Sequence, residues 1–264
     1  MTGVNKSWIA QLLQFDRDGD VFVFPDPQGG PGPRLFGGMI AAQALGAAGA
    51  TVEPTKLPQS LHVYFVSGGQ YGVDIELRVE RIRDGRSFDT RRVTAMQKSA
   101  VILEMIASFH RPEQGADWFA DAVPGVEFDD TAPKYPDIEF AERFNIRTVP
   151  GDDSIFALPP FWIQTKDAIE DDPLTRACML TFMSDFGPVP AARPPGTPLE
   201  VGVGFAASLD HSVWFHRPFD PQRWHRYEVT PANVSDSRGL VHGALYDGGG
   251  ALIASTAQEA LWRL

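Results

Sequence analysis

A chain of 264 residues, 43% of them hydrophobic, carries enough apolar mass for one large domain or two modest ones. Its net charge of −11 argues against nucleic acid and anionic membranes as main partners, so a polyanionic ligand needs a local exception. The single cysteine, Cys178, excludes intrachain disulfides and cysteine-rich metal centres and fits a reducing, cytoplasmic setting.

The opening residues lack the apolar stretch and small-residue cleavage site of an export signal, and no apolar run approaches the ~18 residues of a membrane span. "DRDGD" at 16–20 suggests a calcium loop, but Val21 replaces the loop glycine and Pro27 the closing glutamate, so a turn is predicted there. "GGMIAAQALGAAGATV" (37–52) is small and apolar nearly all round, the composition of a helix buried inside a sheet. Between Arg78 and Lys98, seven basic residues face three acidic ones. The ordinary reading of such a run is the solvated face of a strand pair; a phosphate site is the alternative.

The polar turn "QKSA" (97–100) leads into the apolar run "VILEMIASF" (101–109), a hairpin pattern. The acidic, proline-bearing stretch 112–137 reads as a surface linker, which divides the chain into 1–115, a linker at 116–140, and 141–264. A second helix is predicted from Asp172-Pro173, an N-cap followed by proline at the first helical position, to about Asp185. The Pro/Gly-rich stretch 187–200 is read as a loop.

The two halves repeat. At a shift of 150 residues, Tyr64-Phe65 falls on Trp214-Phe215, the turn 97–100 falls on "DGGG" (247–250), and 101–109 falls on 251–259; the helices match at a shift of about 135. Each half is thus one buried helix plus antiparallel strands, an α+β arrangement whose sheet needs a partner, and the duplication supplies it. In the closing stretch "LIASTAQEALWRL", the even positions Leu252, Ala254, Thr256, Gln258, Ala260 and Trp262 share one mostly apolar strand face. A carboxamide buried there without partners costs about 1–3 kcal/mol, so Gln258 is either satisfied structurally or used.

"LFGGMIAAQAL" (35–45), "HVYF" (62–65), "RDGRSFDTRRVTAMQ" (83–97), "LDHSVWFHRPFD" (209–220) and "STAQEALWR" (255–263) together resemble the acyl-CoA thioesterase II family, the TesB-like double-hotdog enzymes. The resemblance implies two fused hotdog domains, each a long helix wrapped by a curved antiparallel sheet, and hydrolysis of fatty acyl-CoA to free acid and CoA without a cofactor or metal. It also implies that an Asp, a hydroxyl residue and a Gln orient the attacking water. Carried over, these fall on Asp185 in "MSDFG", Ser208 in "ASLDHS", where serine replaces the usual threonine, and Gln258 in "TAQE". "VSGG" (66–69) departs from an Arg-Pro pair common in relatives.

The chemistry of these residues suits the role. Asp185 shares a helical stripe with Leu174, Cys178 and Thr181, so it is expected to face inward from the last helical turn, where burial and the dipole both favour a proton-accepting carboxylate of raised pKa. Gln258 can accept from and donate to water. Gly37 and Gly38 open the first helix without side chains, leaving N–H groups free to polarise a thioester carbonyl. Arg91 and Arg92 are the candidate phosphate contacts in the basic segment. His211 and His216 are read as structural, and no G-x-S-x-G elbow occurs. An enoyl-CoA hydratase and a non-catalytic acyl-CoA binder are the competing readings, and a homo-oligomer is expected.

Overall fold

The computed structural model describes residues 7–25, 34–120, 141–148, 160–197 and 205–263. The first half begins with α1 (Trp8–Leu12), which Ser7 caps by accepting from Ala10 N–H at 3.2 Å. The hairpin β1 (Asp16–Asp18) and β2 (Val21–Phe24) follows, then α2 (Gly37–Gly49) and the strands β3 (Leu57–Phe65), β4 (Ile75–Asp84), β5 (Phe88–Gln97) and β6 (Ala100–His110). The acidic "DRDGD" is the turn expected, with Gly19 at φ +59°.

The second half contains β7 (Phe144–Thr148), β8 (Phe161–Thr165), α3 (Pro173–Ser184), α4 (Pro188–Ala191) and β9 (Phe205–Ser208). It closes with β10 (Asp210–Phe215), β11 (His225–Ser235), β12 (Arg238–Asp247) and β13 (Leu252–Arg263). Asp172 caps α3 by accepting from Thr175 N–H at 2.7 Å, as its Asp-Pro start predicts. The stretch 187–200, expected as a loop, contains the short helix α4, started by proline after Gly187 at φ +101°. Most of the expected linker lies outside the described residues.

All described strands join one antiparallel sheet of thirteen, in the order β1-β2-β4-β5-β6-β3-β10-β13-β12-β11-β8-β7, with β9 on β13. The halves meet at β3 and β10, where Ser212 lies opposite His62, 150 residues away, and Val213 lies opposite Leu61 while His211 lies opposite Val63. The pairing therefore places the repeat's two-fold axis between His62 and Ser212. The helices obey the same symmetry and run antiparallel: Gly38 at the start of α2 meets Asp185 just after α3, and Gly49 at the end of α2 meets Leu174 at the start of α3. Gly38 through Ala48 are all buried, so α2 is the core helix its composition predicted.

Candidate active site

The site forms where the start of α2 meets the end of α3. The N-cap of α2, Phe36, offers no side-chain hydrogen bond. Asp185 takes that role from the other half: its Oδ2 accepts from Gly38 N–H at 2.8 Å, and the residue is 7% exposed. The negative charge expected to suffer at the end of its own helix thus rests on the positive end of another. One of the two N–H groups expected to polarise a carbonyl is occupied by this bond. The Gly37 N–H has no acceptor among the described residues.

Space is tight at both positions, against side chains at Gly37 and against backbone at Gly38. A Cβ on Gly37 would lie 2.8 Å from Asp185 Oδ2 and 2.9 Å from the Phe65 ring, and one on Gly38 would lie 2.6 Å from the Phe182 carbonyl oxygen. Because that last contact is with backbone, Gly38→Ala is expected to cost about 1–3 kcal/mol and to displace Asp185. Thermal unfolding and turnover of the purified variant read both effects.

Gln258 stands on the buried face of β13 that the even-residue pattern predicted and is 1% exposed. Its Nε2 donates to Ser208 Oγ at 2.8 Å, across from β9, so two of the three expected water-holding residues touch directly. The Gln258 Oε1 has no hydrogen bond of normal geometry among the described residues. His211 on β10 interacts with the Gln258 side chain, and its Nδ1 likewise has no hydrogen bond of normal geometry among the described residues. The far ring nitrogen, Nε2, is 2.8 Å from Ser184 Oγ, on the residue preceding Asp185. A second bridge runs beside it: Tyr227 donates to the Ser184 carbonyl at 2.8 Å and shares a 2.9 Å hydrogen bond with Thr256, two residues before Gln258.

His211 is fully buried, and burial pushes its pKa down to about 4, with the Gln258 contact opposing the shift. The ring is therefore neutral at ordinary pH. Burial also raises the Tyr227 phenol, and the nearby Asp185 charge adds to the effect. Four strands, β9, β10, β11 and β13, thus reach the end of α3, where His211 and Tyr227 connect the Ser208–Gln258 side to Ser184, the residue before Asp185. The sequence reading gave His211 no part in this; its signal was its place in the "DHS" stretch beside Ser208.

The basic segment has a different outcome. Arg91 is 1% exposed; Nε donates to Thr51 Oγ1 at 2.8 Å, Nη1 to the Arg83 and Thr90 carbonyls, and Nη2 to the Thr51 carbonyl and the Asp84 carboxylate. With its guanidinium inside this network, it does not face a ligand, and a phosphate role is not supported. Arg92 is half-exposed but bonded to Glu104 at 3.1 Å, and Arg81 is held by Asp20 from the β1–β2 hairpin. Acids from outside the segment, Glu104 on β6 and Asp20 in the β1–β2 turn, thus meet part of the local excess of charge. Arg91→Ala is expected to destabilise the fold, at about 1–3 kcal/mol for each buried acceptor left unpaired. The salt dependence of any acyl-CoA KM should stay unchanged, which denaturant titration and kinetics together check.

Among the described residues no cluster of metal-ligating side chains occurs, and no helix is long and apolar enough to cross a membrane. Family models described as the acyl-CoA thioesterase N-terminal domain and C-terminal domain match residues 24–110 and 120–262. The chain is 32% identical to acyl-CoA thioesterase 2 of Haemophilus influenzae, covering 97% of this chain and 96% of that one. It is 33% identical to acyl-coenzyme A thioesterase 8 of Mus musculus, over 88% of this chain and 81% of the relative. Among solved structures, the acyl-CoA thioesterase II TesB2 of Mycobacterium marinum superposes with a TM-score of 0.84 at 31% identity, covering 97% of each chain. With both halves matched in order and the tandem double-hotdog architecture in place, the chain belongs to the acyl-CoA thioesterase family.

Proposed function

We propose that this protein hydrolyses fatty acyl-CoA to free acid and CoA by direct attack of a water held among Asp185, Ser208 and Gln258. The observation that carries the reading is the buried series Ser208–Gln258–His211–Ser184, which ends on the residue before Asp185, whose own carboxylate accepts from Gly38 N–H. Water gives one proton to Asp185 and a hydrogen bond to Ser208 Oγ, while its free lone pair attacks the thioester carbonyl. The Gly37 N–H stabilises the oxyanion that develops. Collapse breaks the C–S bond and expels a thiolate, a good leaving group because its conjugate acid has a pKa of roughly 8.5. Asp185 then returns its proton to the sulfur.

In this scheme His211 is a positioning residue: Nδ1–H donates to Gln258 Oε1, Nε2 accepts from Ser184 Oγ, whose proton turns to it from the Thr181 carbonyl 3.0 Å away, and the Gln258 amide protons are left for Ser208 and the water. A hydratase would instead need a histidine exposed to substrate, and His211 is enclosed on both nitrogens. Release of free thiol from acyl-CoAs of increasing chain length tests the reading; no release at any length would overturn it. A free, buried Cys178 supports a cytoplasmic setting, and Tyr64 and Ile106, 65% and 52% exposed on the outer face of the central strands, support self-association, which light scattering would measure.

A further inference from the structure

The internal two-fold axis turns the candidate site onto a second location at the opposite end of the helix pair. With the N-caps Phe36 and Asp172 equivalent, Gly37 corresponds to Pro173, Gly38 to Leu174 and Asp185 to Gly49. Ser208 corresponds to Pro58 at the 150-residue shift, whereas the strand registers put β13 one residue further on: Gln258 lies opposite Val241 as Ala107 lies opposite Arg91, so its counterpart is Ala107 and not the Ser108 that the sequence repeat suggested. The carboxylate-to-glycine contact is replaced there by leucine against glycine: a Cβ on Gly49 would lie 2.4 Å from Leu174 Cδ1. The base and the carboxamide are gone, so this location cannot activate water as the first one does.

It has nevertheless not closed. A cleft of about 540 Å³ opens there, lined by Pro58, Pro173 and Phe215, the counterparts of Ser208, Gly37 and Phe65. That volume is within the ~300–1,000 Å³ of small-molecule sites. The walls are mainly apolar, and Arg176 from the first turns of α3 is among them. Its Nε is buried without a hydrogen-bond partner among the described residues, while Nη2 is 3.2 Å from the exposed Asp171. A partly exposed guanidinium, paired with an exposed carboxylate and set beside an apolar channel, suits a ligand with an oxygen acceptor at the head of a hydrocarbon chain.

We infer that this cleft is a second acyl-binding site that holds its ligand without hydrolysing it, with Arg176 donating to the oxygen at the head of the acyl chain. The inference rests on the thioesterase reading, since the symmetry makes the cleft the counterpart of an acyl site. Substrate thioester and product carboxylate share the required chemistry. Titration calorimetry of the full chain with a non-hydrolysable thioether analogue of dodecanoyl-CoA, and separately with dodecanoate, distinguishes the two.

Two equivalents of one probe per chain are expected, falling to one in Arg176→Glu and in Gln59→Trp, a cleft-lining position. Both variants should keep wild-type hydrolysis, which also reports that they are folded. Two equivalents of the analogue would make the occupant acyl-CoA; two of dodecanoate would make it the free acid. A single equivalent of each probe on the wild type, or a second equivalent unchanged in both variants, would overturn the inference. Absence of hydrolysis in the wild type would instead overturn the thioesterase reading, whatever the count of bound ligand.

Discussion

Asp185→Asn is expected to lower kcat at least ~100-fold, the scale for loss of a general base, with little change in KM. The substitution separates the two tasks of this side chain. The asparagine carbonyl can still accept from Gly38 N–H, so the cap that Asp185 supplies to α2 is retained, together with the packing of one half on the other. What the amide cannot do is take a proton from water. Loss of thiol release with an unchanged circular dichroism spectrum and unfolding midpoint would assign the carboxylate to proton transfer. Wild-type turnover would reduce Asp185 to a helix cap.

The second large effect is expected at His211, where the two isosteric amides divide the two ring nitrogens. Asparagine places its amide where Nδ1 stands and keeps the contact with Gln258; glutamine reaches the Nε2 position and keeps only Ser184. His211→Gln should therefore lose activity as Gln258→Ala does, by roughly 10- to 100-fold in kcat, because a misplaced carboxamide misplaces the nucleophile. His211→Asn should stay near wild type, and His211→Gln combined with Gln258→Ala should be little worse than Gln258→Ala alone. Equal losses in the two single variants would make His211 a packing residue.

Acid stability provides an independent readout of the same ring. The folded-state pKa of about 4 lies below the ordinary value of 6.5, so the unfolded chain takes up a proton first as pH falls. The contribution of the buried neutral ring is thus complete above pH 6.5 and is lost as pH falls through about 4. Denaturation midpoints of His211→Asn should fall less steeply across that window.

Both helices were legible in the sequence because their signals are local: an all-round apolar composition for α2, and an Asp-Pro start for α3. The face of β13 was legible from its period of two. The short helix α4 was not, because a proline-rich run reads as loop unless proline is recognised as a helix opener. Asp185, Ser208 and Gln258 were nominated through resemblance, since no local pattern brings a helix end, β9 and β13 together. Arg91 misled for the same reason: its partners Thr51 and Asp84, and the Asp20 that neutralises Arg81, are assembled only when strands and turns pack. His211 was passed over because its task depends on pairing between β10 and β13, where Ser212 lies opposite Ala257 and brings His211 to Gln258.

Whether Asp185, Ser208 and Gln258 act on one water is read from the kcat of Asp185→Asn, Ser208→Ala and Gln258→Ala, singly and combined. If they form one unit, the triple variant should fall no more than a few-fold below Asp185→Asn, because a water already without its base has little left to lose. Losses that multiply through the set would show three independent contributions and contradict the single water site.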